Sequence, residues 1–159
     1  HDLGKCAVLM YIDNNARRLL DEEFFCIQSH PRTGADILNR MGCGRTLALA
    51  ALYHHCYYNG KGGYPNDVPS CPPEIKGIVD ALSVADSLDA ATDNIGRCYQ
   101  MAKPFRTLVG ELKAQSGTRY APKVVALFDD KDFCAELAQR LDEKRKEVYL
   151  QAYHIGREK

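Results

Sequence analysis

Along most of this chain apolar residues recur every three to four positions, the spacing of one helix face, and nowhere do they alternate with polar ones over the length of a strand. Residues 21–29 open on Asp21, Glu22 and Glu23, charges that suit a helix N-terminus, and run on through Phe24, Phe25 and Ile27. Pro31 then either starts a fresh helix or kinks an existing one, and from Gly34 the spacing continues through Ile37, Leu38 and Met41. The alanine-rich stretch 45–56, RTLALAALYHHC, predicts a helix over its full length. Residues 59–73, NGKGGYPNDVPSCPP, hold too much proline and glycine for a regular element and read as a loop long enough to be functional. Helical spacing resumes at Glu74 and persists to about Asn94. Pro104 opens a helix to about Gln115, Gly117 ends it, Pro122 opens another, and 130–155 form a long charged helix. There Phe133, Leu137, Leu141, Val148 and Tyr149 make a broken apolar stripe beside the mixed-charge face RLDEKRKE. The expected fold class is all-α.

A length of 159 residues fits one domain with its own core. Twenty-one Lys and Arg against 21 Asp and Glu leave no net charge, which excludes the basic footprint of a duplex nucleic-acid binder. No apolar run approaches the roughly 20 residues that span a bilayer, and no signal peptide opens the sequence, so the expectation is a cytoplasmic chain without a membrane span. The seven cysteines are odd in number and dispersed, with no Cys-x-x-Cys pair. They read as reduced thiols that pack as small hydrophobes.

The chemistry lies with the histidines. His1-Asp2, His30 and the adjacent His54-His55 sit in or beside short polar signals, whereas His154 falls in the charged C-terminal helix and reads as a surface residue. Neutral imidazole is the commonest nitrogen ligand for metals near pH 7. In EIKGIVDALSVADSLDAATD, helical geometry puts Ile78, Leu82, Ala85, Asp86 and Asp89 on one face. A carboxylate on an apolar face needs a partner. Asp86 or Asp89 either caps a neighbouring helix, pairs with Arg97, or, in the case of Asp86, reaches into a metal centre with the histidines. Asp2 could bridge two metals, and a site of imidazole and carboxylate without thiolate suits iron, manganese or zinc. Lys5, three residues after Asp2, is either an ordinary ion pair or a fixed cation beside a phosphate.

Four segments in series, HDLGK at 1–5, HPRTGADIL at 30–38, YHHCYYNGKGGYP at 53–65 and ADSLDAATDNIGRCY at 85–99, resemble the HD-GYP branch of the HD phosphohydrolases, a group that includes cyclic di-GMP phosphodiesterases. The resemblance covers about residues 1–128 and ends near GTRYAPKVVALF. It implies an HD-type helical bundle over 1–128 that lacks the family's preceding helix. Residues 129–159 are then expected as a charged C-terminal helix packed on the same domain. It also implies two or three divalent metals, iron or manganese first and zinc as the alternative, held by His1, Asp2, His30, His54, His55 and Asp86. Asp2 and Lys5 take catalytic roles in this reading, with Lys5 and Arg97 facing substrate phosphate, Lys103 standing in for the basic residue that Gln100 replaces, and Gly63, Tyr64 and Pro65 forming the GYP loop that contacts substrate. The implied reaction is attack of metal-bound hydroxide on a phosphodiester of a cyclic dinucleotide, cyclic di-GMP first. The resemblance leaves room for a regulatory domain upstream and for a homodimer.

The sequence also departs from the family pattern. Cys56 stands where the double histidine is usually followed by Glu, Asn59 stands for the aspartate before the GYP loop, and Gln100 stands where a basic residue is common. Two function classes therefore stay open: a metal-dependent phosphodiesterase, and a degenerate module that senses a nucleotide or contacts a partner without turnover.

Overall fold

The computed structural model describes residues 1–8, 12, 19–95 and 101–157, with side chains as far as residue 154. Among the described residues there is no strand, only two isolated bridges, Cys56 to Gly63 and Ser116 to Tyr120, so the fold is all-α.

A 3-10 turn, Asp2–Gly4, leads into the single-turn helix α1, Lys5–Val8. Helix α2, Asp21–Ile27, carries its three acids in the first turn, and the Glu23 carboxylate accepts the Leu20 amide at 2.8 Å. Helix α3, His30–Arg40, starts afresh at His30, with Pro31 in its first turn where no helical hydrogen bond is lost. Helix α4, Arg45–Tyr53, packs along α3, burying Ala48, Ala50, Ala51 and Tyr53. The expected helix over 45–56 thus stops at Tyr53, and the double histidine lies in the turn beyond it. The irregular segment 54–72 follows, then α5, Pro73–Thr92, α6, Phe105–Ala114, α7, Pro122–Val125, a 3-10 turn over Ala126–Asp129, and α8, Lys131–Arg157.

Two apolar clusters hold these elements. The larger joins Val84 and Leu88 of α5, Leu108 and Leu112 of α6, and Tyr120, Val125 and Phe128, with Phe133, Cys134 and Leu137 of α8 laid against it. Removing a side chain as enclosed as Leu112 costs about 2–5 kcal/mol. The smaller cluster, Tyr53, Ile75 and Val79, ties α4 to α5 and carries Cys56 and Cys71 at its edge. In the expected stripe of α8, Phe133 and Leu137 pack inward, whereas Val148 is 60 % exposed.

Helix α5 also corrects the expected face. Ile78, Ala85 and Asp89 lie on its outer, exposed side, while Ile75, Val79, Ser83 and Leu88 are buried. Asp86 is about 20° from Val79 around the helix but about 80° from Ile78, so it rides the inner edge. Asp89 turns away and pairs with Arg145 of α8 at 2.8 Å.

The turn bearing His1 and Asp2 is seated on α3 by two glycines. A Cβ on Gly4 would come within 2.0 Å of the His30 carbonyl oxygen and 2.5 Å of the Gly34 amide nitrogen. Only a residue without a side chain lets the two backbones cross this closely.

Candidate metal centre

Four stretches of chain converge. His1 and Asp2 come from the N-terminal turn, His30 from the first residue of α3, His54 and His55 from the turn after α4, and Asp86 from the middle of α5. Their donor atoms form two groups, each within 4.8 Å: Asp2, His30, His54 and His55, and His1, Asp2 and Asp86. Asp2 belongs to both. Its Oδ1 faces Nε2 of His30 at 3.2 Å and Nε2 of His54 at 3.7 Å, while its Oδ2 faces Nε2 of His1 at 3.4 Å. Asp86 spans the other side, with Oδ1 at 3.5 Å from His1 Nε2 and Oδ2 at 3.8 Å from His55 Nδ1.

The backbone fixes the two fully buried rings. His30 Nδ1–H donates to the Ile27 carbonyl and His54 Nδ1–H to the Ala51 carbonyl, both at 2.6 Å. Each acceptor lies three residues upstream in the last turn of a helix, where carbonyls lack helical partners. A carbonyl can only accept, so the proton is on Nδ1, and in the neutral ring Nε2 carries a lone pair. Those two lone pairs lie 3.2 Å apart and point at Asp2 Oδ1, a buried oxygen that no hydrogen-bond donor satisfies. Three acceptors converging on one point form a site that a bound cation satisfies. The donor set fits a metal on this ground alone.

Burial alone would raise the Asp2 carboxyl, but the groups around it, Lys5 among them, outweigh burial and hold it far below the usual carboxylate range. Burial would likewise raise Asp86, but its bond with His1 overcomes burial and holds the carboxyl below its ordinary value. The bond to Asp86 raises the His1 imidazole against the opposing effect of burial. Burial, reinforced by His54, pushes His55 down and keeps its ring neutral.

Lys5 Nζ donates to Asp2 Oδ2 at 2.5 Å and lines a cleft of about 620 Å³. His30, His55, Tyr64 and Asp86 line it together with Lys103, Glu111, Arg119 and Tyr149. Lys103 is engaged by both Glu111 carboxylate oxygens, at 2.8 and 2.7 Å. Arg97 and Gln100 lie outside the described residues.

No family model matches the chain. It is 33% identical over 130 residues to a cyclic di-GMP phosphodiesterase of Thermotoga maritima, an alignment covering 80% of this chain and 34% of that protein. A 3'3'-cGAMP-specific phosphodiesterase 2 of Vibrio cholerae is 33% identical over 131 residues, 80% of this chain and 24% of its own length. A cyclic di-GMP phosphodiesterase of the same organism is 32% identical over 135 residues, 80% of this chain and 26% of its own. The chain belongs to the HD-GYP family. It spans about a quarter to a third of the length of these curated relatives.

The GYP tripeptide gives this HD-GYP chain its second wall. Gly63 has φ +83°, and a Cβ there would fall 2.0 Å from the His55 carbonyl oxygen, so the loop can lie against the double histidine only with glycine at that place. The Tyr64 ring packs on the His55 ring with centroids 4.5 Å apart, and burial together with Asp86 pushes its phenol up to about 12. Tyr64 lines the cleft, whereas Pro65 offers its carbonyl to the Cys56 thiol at 3.4 Å. Cys56 is pushed up to about 11 by burial and by neighbouring Cys71. Its thiol is directed at the Tyr64 and Pro65 carbonyls and belongs to neither donor group. Asn59, the other departure from the HD-GYP pattern, acts locally. Its Oδ1 accepts the Lys61 amide at 2.9 Å and closes the turn, which an amide does as well as a carboxylate.

The carbonyls of Ile27 and Ala51 were not foreseen, because backbone acceptors have no residue signature. The one available signal was each histidine's place just beyond a helix end.

Proposed function

We propose that this chain is a metal-dependent phosphodiesterase that hydrolyses a phosphodiester bond in a cyclic dinucleotide, with cyclic di-GMP as first substrate. The single observation that carries the reading is the unsatisfied Oδ1 of Asp2 facing the two Nε2 atoms of His30 and His54. The names of the relatives supply the substrate class.

His30, His54, His55 and Asp2 would hold one divalent ion, and His1, Asp2 and Asp86 a second, with Asp2 as the shared ligand. Iron or manganese is the pair of metals we propose, since borderline imidazole and hard carboxylate oxygens suit both. Bound there, such ions supply Lewis acidity toward phosphoryl oxygens and make water nucleophilic near neutral pH. The chain's own residues do the rest. Ile27 and Ala51 hold two rings in the ligating tautomer, and Tyr64 holds the His55 ring in place. Lys5 is held in the wall of the cleft by Asp2, from where its ammonium would neutralise charge that develops on a phosphoryl oxygen. Asp2 and Lys5 are the catalytic pair in this reading, and Gly63, Tyr64 and Pro65 set the wall against which substrate lies. Arg97 and Lys103 keep their proposed places as phosphate contacts, Lys103 only by giving up Glu111. The cleft volume falls within the range of small-molecule sites. Free thiols at all six described cysteines accord with a reducing, cytoplasmic setting.

The degenerate reading finds its support in Cys56, whose thiol faces loop carbonyls where the family pattern has a carboxylate. Turnover separates the two. Purified chain loaded with manganese or iron should bind about two ions by elemental analysis and hydrolyse cyclic di-GMP or a related cyclic dinucleotide. A fully metallated sample that turns over none of them overturns the enzyme reading.

A further inference from the structure

Among the described residues three flexible cations line the cleft: Lys5, Lys103 and Arg119. Two are committed, Lys5 to Asp2 and Lys103 to Glu111. Arg119 has no ion pair among the described residues. Its guanidinium instead lies over two aromatic rings, 5.8 Å from the centroid of Tyr57 and 5.1 Å from that of Tyr120. Such stacking holds the flat cation in place while leaving its N–H fork open for an anion.

Its backbone is fixed to the same loop that carries the metal donors. The Tyr58 amide donates to the Arg119 carbonyl and the Asn59 amide to the Thr118 carbonyl, each at 3.1 Å, so 118–119 are stapled alongside the segment that runs from His54 to Tyr64. Arg119 is thus a pre-positioned cation in a cleft that the candidate metal donors His30, His55 and Asp86 also line.

A cyclic dinucleotide carries two phosphodiesters in one ring. When one lies at the metal donors, the other retains a full negative charge that needs a partner farther along the cleft. We propose that Arg119 binds this second, non-scissile phosphate and so selects two-phosphate ring substrates over simple diesters. The inference rests on the phosphodiesterase reading and adds to it the residue that reads the substrate class.

The test compares manganese-loaded wild type, Arg119→Ala and Arg119→Lys on cyclic di-GMP, cyclic di-AMP and bis(p-nitrophenyl) phosphate, with melting curves to confirm that each variant is folded. Arg119→Ala should raise KM for both cyclic dinucleotides about tenfold or more, with kcat changed less than threefold. The ratio of kcat/KM for cyclic di-GMP to that for the small diester should drop by a similar factor, and Arg119→Lys should recover part of it. Equal KM values in wild type and Arg119→Ala overturn the assignment. A loss confined to the guanine dinucleotide also overturns it, since Arg119 would then read the base. If wild type cleaves the small diester but no cyclic dinucleotide, the substrate reading fails by itself. Calorimetric binding of cyclic di-GMP to wild type and Arg119→Ala then decides the role of Arg119 without turnover. Tenfold weaker binding by the variant supports it, and equal or undetectable binding by both overturns it.

Discussion

His30 and His54 present their Nε2 atoms to each other at 3.2 Å while a carbonyl holds the opposite nitrogen of each ring. Two lone pairs so close, with Asp2 Oδ1 beside them, repel unless a cation intervenes. The metal-free chain should therefore be measurably less stable than the loaded one. At metal concentrations a hundredfold above Kd the stabilisation is about 2.7 kcal/mol. For a chain of this size that is roughly 5–10 °C in Tm. Thermal melts with a chelator and with added manganese read the difference. A melt that ignores metal would contradict the proposed centre.

Asp86 separates the metal reading from a structural one. Its carboxylate lies 3.5 Å from His1 and 3.8 Å from His55, and its side chain is only 14 % exposed. Asp86→Ala should lower bound metal from about two ions to one or none, and activity on a cyclic dinucleotide should fall about a hundredfold or more. Elemental analysis of the folded variant is the deciding measurement. Unchanged metal content with a lower Tm would make Asp86 a structural partner of His1.

Gly63 lets the loop approach the double histidine. At φ +83°, with a Cβ position 2.0 Å from the His55 carbonyl oxygen, Gly63→Ala faces backbone strain of about 1–3 kcal/mol and must also move the loop off His55. Tm should fall by roughly 5–10 °C, and metal affinity should fall with it. Gly77→Ala is the control: nothing lies within 4 Å of its Cβ position, and it sits inside α5, where alanine is preferred by about 1 kcal/mol. Melting curves and metal titrations of both variants would show whether position, or merely the loss of a glycine, is what matters.

The helices were legible because each has a plain physical marker: the acids of Asp21–Glu23, the prolines at 31 and 122, and the helical spacing between Glu74 and Asn94. Where spacing misled, a tertiary contact decided the outcome. The 45–56 stretch looks helical to its end, yet His54 turns its Nδ1–H back onto the Ala51 carbonyl and the Cys56 backbone pairs with Gly63. Asp89 shares a face with Asp86 by spacing, but Arg145, 56 residues later, fixes it on the outer side of α5. The six His and Asp side chains stood out by type and by their motifs. Which oxygen of Asp2 faces which ring depends on the crossing of Gly4 with α3, and no spacing rule encodes that. Arg119 carried no signal at all, because its place depends on two tyrosines, one of them from a distant segment.

Arg145 offers the last test, at the junction of α8 with α5. Its guanidinium, 8 % exposed, donates to the Thr92 carbonyl, to the Asp89 carbonyl at 3.0 Å and to the Asp89 carboxylate at 2.8 Å. The two carbonyls belong to the last turn of α5, and that of Thr92 lies beyond the reach of a helical amide. Arg145→Ala leaves them without this donor and should cost roughly 1.5–3 kcal/mol, the range for hydrogen bonds to a charged group. Arg145→Lys should recover only part, since one ammonium cannot reproduce the fork that reaches four acceptors, the Thr92 hydroxyl included. The fragment released first by limited proteolysis should then begin within α8, while metal content stays as in the wild type. If α8 is no more readily cleaved in Arg145→Ala than in the wild type, then Phe133 and Leu137 alone suffice to hold the helix on the core.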